Sequence, residues 1–120
     1  MDWKLQSDAP IYSQLVEQIT LKIVSGVFPP GERLLSVREL AADAGVNPNT
    51  MQRALAELER IGLVFSQRTT GRFVTEDIKM IEDAKSQLAQ KQIVGFLNSM
   101  KELGYSENEI INMITKESEK

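Results

Sequence analysis

Apolar side chains return at helical intervals along most of the chain. Tyr12, Leu15, Val16, Ile19 and Ile23 fall at i, i+3, i+4, i+7 and i+11, the stripe of a helix that buries one face. Pro10 suits its first turn, and Gly26 with Pro29 and Pro30 stops it. The stretch "FPPGERL" reads as a turn and short extended link, because proline blocks helix and biases its predecessor toward extended backbone. Ser36 and Glu39 stand in the S-x-x-E relation of a capping box. They open a short helix with Val37, Leu40 and Ala41 inward and Gly45 as its stop. A third helix starts at Asn47, with Pro48 in the tolerated first position. Met51, Ala54, Leu55, Leu58 and Ile61 make its apolar face. At about 100° per residue, the face opposite holds Asn49, Arg53, Ala56 and Arg60.

After Gly62 the period changes. "LVFSQ" and "RFVTE" are β-prone runs separated by "RTTG", a two-stranded hairpin with Gly71 supplying the permissive backbone. From Asp77 the pattern is helical again. Ile81, Ala84 and Leu88 form a weak stripe, and Ile93, Phe96, Leu97, Met100 and Leu103 a stronger one that Gly104 ends. Ser106 and Glu109 make a second capping box, with Tyr105 placed to staple against Ile110, and Ile110, Ile111, Met113 and Ile114 give the last helix an apolar side. The fold class predicted is mainly α with a small β-hairpin. It is a winged helix-turn-helix over residues 9–76 followed by a two-helix tail over residues 77–120.

Composition narrows the chemistry. The 120 residues contain no cysteine and no histidine, which excludes disulfides, thiolate or imidazole metal sites and the catalysis that depends on either side chain. The acids are scattered along solvated faces, so no metal site, no cofactor and no enzymatic cluster is expected. No N-terminal apolar signal is visible and no apolar run reaches the roughly 18 residues of a membrane span, so a soluble, cytoplasmic protein is expected.

The net charge of −3 argues against nucleic acid only until it is read by region. Between residues 33 and 72, six arginines face four acids, leaving that window at +2. All its cations are arginine, the side chain suited to bidentate base and phosphate contacts.

In a winged helix-turn-helix the third helix lies in the major groove and uses its first turns on base edges. Asn49, Gln52 and Arg53 are side chains that can read adenine or guanine there. The amide ends of the helices at Ser36 and Asn47 can hold phosphate, and Arg38 is placed to clamp one. Arg68, Thr69, Thr70 and Arg72 surround Gly71 at the hairpin tip, where a wing can follow a phosphate strand or reach the minor groove. Plainer readings stand beside these. Asn47 and Pro48 can be a cap alone, Arg53 can pair with Glu57 at i+4, and Arg60 can be a solvated charge. Trp3 packs either on the first helix or on a partner's tail.

Residues 9–76 resemble the N-terminal domain of the GntR family of bacterial transcription regulators. The likeness rests on P-x-Y-x-Q at Pro10 to Gln14, G-x-x-x-P-G at Gly26 to Gly31, "SVRELA", "VNPNT" and a glycine-bearing wing before "FV". Leu35 stands where the family usually has proline, and Thr69 and Thr70 stand where a second wing glycine is common. The resemblance implies DNA contact by Arg38, Asn47, Asn49, Thr50 and Arg53, with Gly71 as the wing glycine. The short tail is similar to that of the small YtrA-type subfamily, where it serves dimerisation and where control of membrane transporter genes is common.

The partners expected are therefore operator duplex DNA and a second copy of the chain. The copy would pack on Ile81, Leu88, Ile93, Phe96, Leu97, Met100, Leu103, Ile110 and Ile114. Two helices do not readily enclose the several hundred Å³ that a drug-sized ligand needs, so a small-molecule effector is not expected. The function expected is a homodimeric, sequence-specific repressor on a two-fold related operator. The rival is a winged-helix module that binds protein, kept open by the acidic total charge.

Overall fold

The computed structural model describes residues 1–120. In chain order the elements are α1 (Ile11–Val24), α2 (Val37–Ala44), α3 (Pro48–Arg60), β1 (Val64–Gln67), β2 (Gly71–Val74), α4 (Ile78–Glu102) and α5 (Glu107–Ser118). The chain is mostly helical with one antiparallel hairpin, as its periodicity predicts. Internal packing defines two compact units, Met1–Lys85 and Ser86–Lys120, with α4 running from the first into the second.

The first unit is organised by local signals that set helix ends and by apolar stripes that join them. Ser36 and Glu39 close a reciprocal capping box at α2, at 3.2 and 3.1 Å. Gly45 ends that helix with φ +71°, a left-handed position that a side chain would strain. The Asn47 side chain accepts from the Asn49 backbone N–H at 2.7 Å and starts α3. The two helices are thereby held across a turn of fixed geometry. Leu15, Ile19 and Ile23 of α1, Leu40 and Ala41 of α2, and Met51, Ala54, Leu55 and Leu58 of α3 bury together. Leu63, Val64, Val74, Phe28 and Leu34 extend this core under the hairpin.

β1 and β2 pair with Val64 opposite Val74, Phe65 opposite Phe73, Ser66 opposite Arg72 and Gln67 opposite Gly71. The Phe65 and Phe73 rings stack at 5.7 Å between centroids. The extended link after Pro30 does more than connect. The Leu34 N–H donates to the Arg72 carbonyl at 2.8 Å, the Gly31 N–H donates to the Val74 carbonyl at 3.0 Å, and the Val74 N–H donates to the Glu32 carbonyl at 2.9 Å. Arg33 forms an isolated bridge to Phe73, so the hairpin has a short third rung.

Ile81, grouped from the sequence with the dimerisation residues, lies in this core instead, with Met80 and Ala84 packed beside it. The reason is that the first turns of α4 belong to the first unit. The weak and strong apolar stripes of the tail both fall on the single 25-residue helix α4, the weak one beginning in the first unit and the strong one lying in the second. Gly104, at φ +100°, turns the chain, and the Ser106–Glu109 capping box opens α5. Ile110 is fully buried within the chain. Ile93, Phe96, Leu103 and Ile114 are exposed, whereas Leu88, Leu97 and Met100 are partly covered. No helix is long and apolar enough to cross a membrane.

Candidate nucleic-acid interface

The recognition-helix candidate α3 is fixed on three sides. Its inner face is the core. One flank, carrying Glu59, meets the hairpin, and the other, carrying Arg53 and Glu57, turns toward α1. On the hairpin flank, Glu59 accepts from Arg72 Nε at 2.7 Å and from the Ser66 hydroxyl, which ties both strands to α3. The Ser66 bond, then the Arg72 bond and charge, hold the Glu59 carboxyl below its ordinary 4.5. On the α1 flank, the Arg53 guanidinium lies over the Tyr12 ring, 4.6 Å from its centroid. Glu57 is engaged by Arg60, whose terminal nitrogen donates to it at 2.8 Å, and this bond depresses the Glu57 carboxyl. The i+4 pairing of Arg53 with Glu57 that the sequence allows is therefore not formed. Its place is taken by the i+3 pair.

Between these anchors the N-terminal turns of α3 are open. Asn49, Gln52 and Arg53 are exposed, and Thr50 is half-buried. The Asn47 side-chain oxygen is occupied as the cap. Arg38 is exposed in the first turn of α2.

A second concavity, about 720 Å³, lies between the start of α2 and the hairpin, with Arg33, Ser36, Glu39, Arg68, Gly71 and Arg72 among its lining. Here the structure brings together wing residues and the α2 cap that the sequence placed separately. It also adds Arg33, from the extended link after Pro30. Arg33 explains the glycine at 71. A Cβ there would lie 3.2 Å from Arg33 Nε, and φ is +113°. Arg72 is partly committed to Glu59, so Arg33 and Arg68 carry the less engaged positive charge of the cleft. Thr69 and Thr70 are exposed at the tip, with the Thr70 hydroxyl bonded to Gln67 at 3.1 Å.

Behind the site, the N-terminal arm is strapped to the unit. Gln14 holds the backbone of Gln6 and Ala9, and Gln18 exchanges two bonds with the Lys4 backbone. Trp3 donates to Asp43 at 2.7 Å and carries the Lys22 ammonium over its ring. The open question about Trp3 resolves to packing on α1 and α2. Tyr12 and Gln14 thus have identifiable work, one beneath Arg53 and one on the arm.

The profile described as "Bacterial regulatory proteins, gntR family" matches residues 11–74. The chain belongs to the GntR family. It is similar to the HTH-type transcriptional regulator YhcF of Bacillus subtilis, 40% identical over 95% of this chain and 94% of that protein. It is also similar to the HTH-type transcriptional repressor YtrA of the same organism, 36% identical over 73% and 68%. Among solved structures, a GntR family transcriptional regulator from Listeria monocytogenes superposes with a TM-score of 0.85 at 40% identity. That match covers 93% of this chain and 98% of that one. The DNA-binding domain of AraR, solved in complex with operator ORE1, superposes at 0.53 with 30% identity, over 62% and 94%. A GntR-family chain of this kind is a transcription regulator with a winged-helix DNA-binding domain, not an enzyme.

Proposed function

We propose that the chain is a homodimeric, sequence-specific DNA-binding regulator that represses transcription from a two-fold related operator. Residues 9–76 form the DNA-binding domain and residues 77–120 the dimerisation tail. The observation that carries this reading is the outward edge of α3. Its inner face is locked in the core, while Asn49, Gln52 and Arg53 remain exposed at the helix start. That edge enters the major groove, with Asn49 and Gln52 offering amides to adenine and Arg53 a fork to guanine. Arg38, Asn47 and Thr50 meet phosphate beside that edge. Ser36, which lines one cleft with Arg68 and Gly71, and the hairpin tip with Thr69 and Thr70 lie along the backbone, with Arg72 behind them. The likeness to a repressor and to an operator-bound domain supports both the partner and the sign of regulation.

The exposed apolar residues of the second unit, Ile93, Phe96, Leu103 and Ile114, with Leu97 and Met100, suit an isologous contact with a second copy. The two half-sites then lie about one helical turn apart or a multiple of it. The chain works in the cytoplasm without a small-molecule pocket in its tail. A mobility-shift titration on the DNA upstream of its own gene tests the reading. Tight binding that weakens steeply with salt is expected, with log K falling by about 0.9 for each phosphate neutralised per log unit of salt. Affinity that is weak, equal for all duplexes and insensitive to salt would favour a protein-binding winged helix instead.

A further inference from the structure

Arg53 and Tyr12 are 41 positions apart in the chain, and α1 has no reason of its own to enter a DNA groove. Yet the Tyr12 ring sits under the Arg53 guanidinium at 4.6 Å. The same shallow hollow is lined by Ala56, Glu57 and Arg60. This contact differs in kind from the alternatives available to Arg53. A carboxylate partner such as Glu57 would occupy two in-plane N–H donors and neutralise the charge. Glu57 is held by Arg60 instead. An aromatic face attracts the cation through the ring quadrupole and restrains the flexible side chain. It leaves the donors of the exposed guanidinium without a carboxylate partner, and that planar fork is what matches guanine or phosphate.

We propose that Tyr12 is a positioning residue for DNA reading: its ring pre-orders the Arg53 fork and so sets discrimination at the base pair Arg53 meets. The proposal rests on the DNA-binding reading above. Ordering the side chain before binding lowers the entropy lost on complex formation, and the gain falls on sites where the fork finds its base. Non-specific binding, which depends on charge alone, is little affected because Arg53 keeps its charge either way.

The test uses the full chain and two duplexes, the upstream site that the wild type binds best and a scrambled version of it. Tyr12→Leu, and Tyr12→Met as a longer, unbranched ringless variant, are expected to weaken specific binding about two- to fivefold, the range of an exposed cation–π contact. Binding to the scrambled duplex should stay nearly constant, and Tyr12→Phe should restore the specific affinity. In an Arg53→Ala background, Tyr12→Leu should have no further effect. Proton spectra of the DNA-free protein give an independent readout. Ring-current shifts on the Arg53 side-chain methylenes should be present in wild type and Tyr12→Phe and absent from the ringless variants.

A merely structural Tyr12 predicts equal losses on both duplexes and in both backgrounds, and that result overturns the proposal. So does specific binding by both ringless variants at the wild-type level. Failure of the wild type itself to distinguish the duplexes also overturns it. If the ring-current shifts persist in that case, the fault lies with the DNA-binding reading and not with the stack.

Discussion

Asn47 and Asn49 share one turn of α3 and the same chemistry, yet they are not equivalent. Asn47 turns its side-chain oxygen onto the Asn49 backbone N–H, whereas the Asn49 amide faces solvent. Asn47→Ala is expected to destabilise the unit by about 1 kcal/mol, as lost N-caps do, and Asn47→Asp to retain most of it. Asn49→Ala should leave thermal unfolding unchanged while lowering operator affinity. Melting curves and binding titrations on the same three variants separate the roles. The caps at Ser36, Asn47 and Ser106 were legible in the sequence because their partners lie two or three residues away. The partner of Arg53 was not. Glu57 offered a local answer at i+4, but the competing contact to Tyr12 depends on how α1 packs against α3, and no spacing within α3 encodes that.

Among the elements, the relation of the hairpin to α3 matters most. Two β-prone runs around Gly71 announce a hairpin, but nothing in them says what fixes its angle. The structure assigns that to Glu59, which receives Arg72 and Ser66 from the two strands. The short rung at Arg33 and Leu34 was equally hidden, since a single bridge leaves no periodicity to read.

The Glu59 carboxyl is depressed below 4.5 in the folded chain, chiefly by the Ser66 hydroxyl bond and then by Arg72. A depressed carboxylate contributes its stability in full above its ordinary value, and loses it as the pH falls through the folded one. Hydrogen exchange of the β1 and β2 amides should therefore accelerate relative to the α1–α3 core as the pH drops below about 4.5. Glu59→Gln should show that faster hairpin exchange already at neutral pH and lose the pH dependence. A hairpin whose protection ignores both changes would show that the latch is not what holds it.

At the scale of the whole molecule, charge and apolar surface are segregated. The chain is acidic overall, while the window of residues 33–72, which carries the proposed DNA-binding residues, is positive. Meanwhile the second unit exposes large apolar side chains, Leu103 at 72% and Phe96 at 44%. The tail helices were predictable from their stripes. Which stripe residues were free was not, because Ile81 and Ile110 are taken up inside the chain. If the proposed dimer packs through this surface, wild type should sediment as a dimer and Phe96→Glu as a monomer, without a lower melting temperature for the first unit. Operator affinity should fall by about a hundredfold or more, since the second half-site is then no longer bound at the high effective concentration that tethering supplies.

The most direct measurement on the central claim compares wild type with Arg53→Ala on operator duplexes altered one base pair at a time. If α3 reads the major groove through Arg53, one position per half-site should penalise the wild type by about 1–3 kcal/mol when changed. Arg53→Ala should bind the original and altered duplexes alike at that position while still discriminating at the others. Equal penalties for both proteins at every position would contradict base reading by this helix edge.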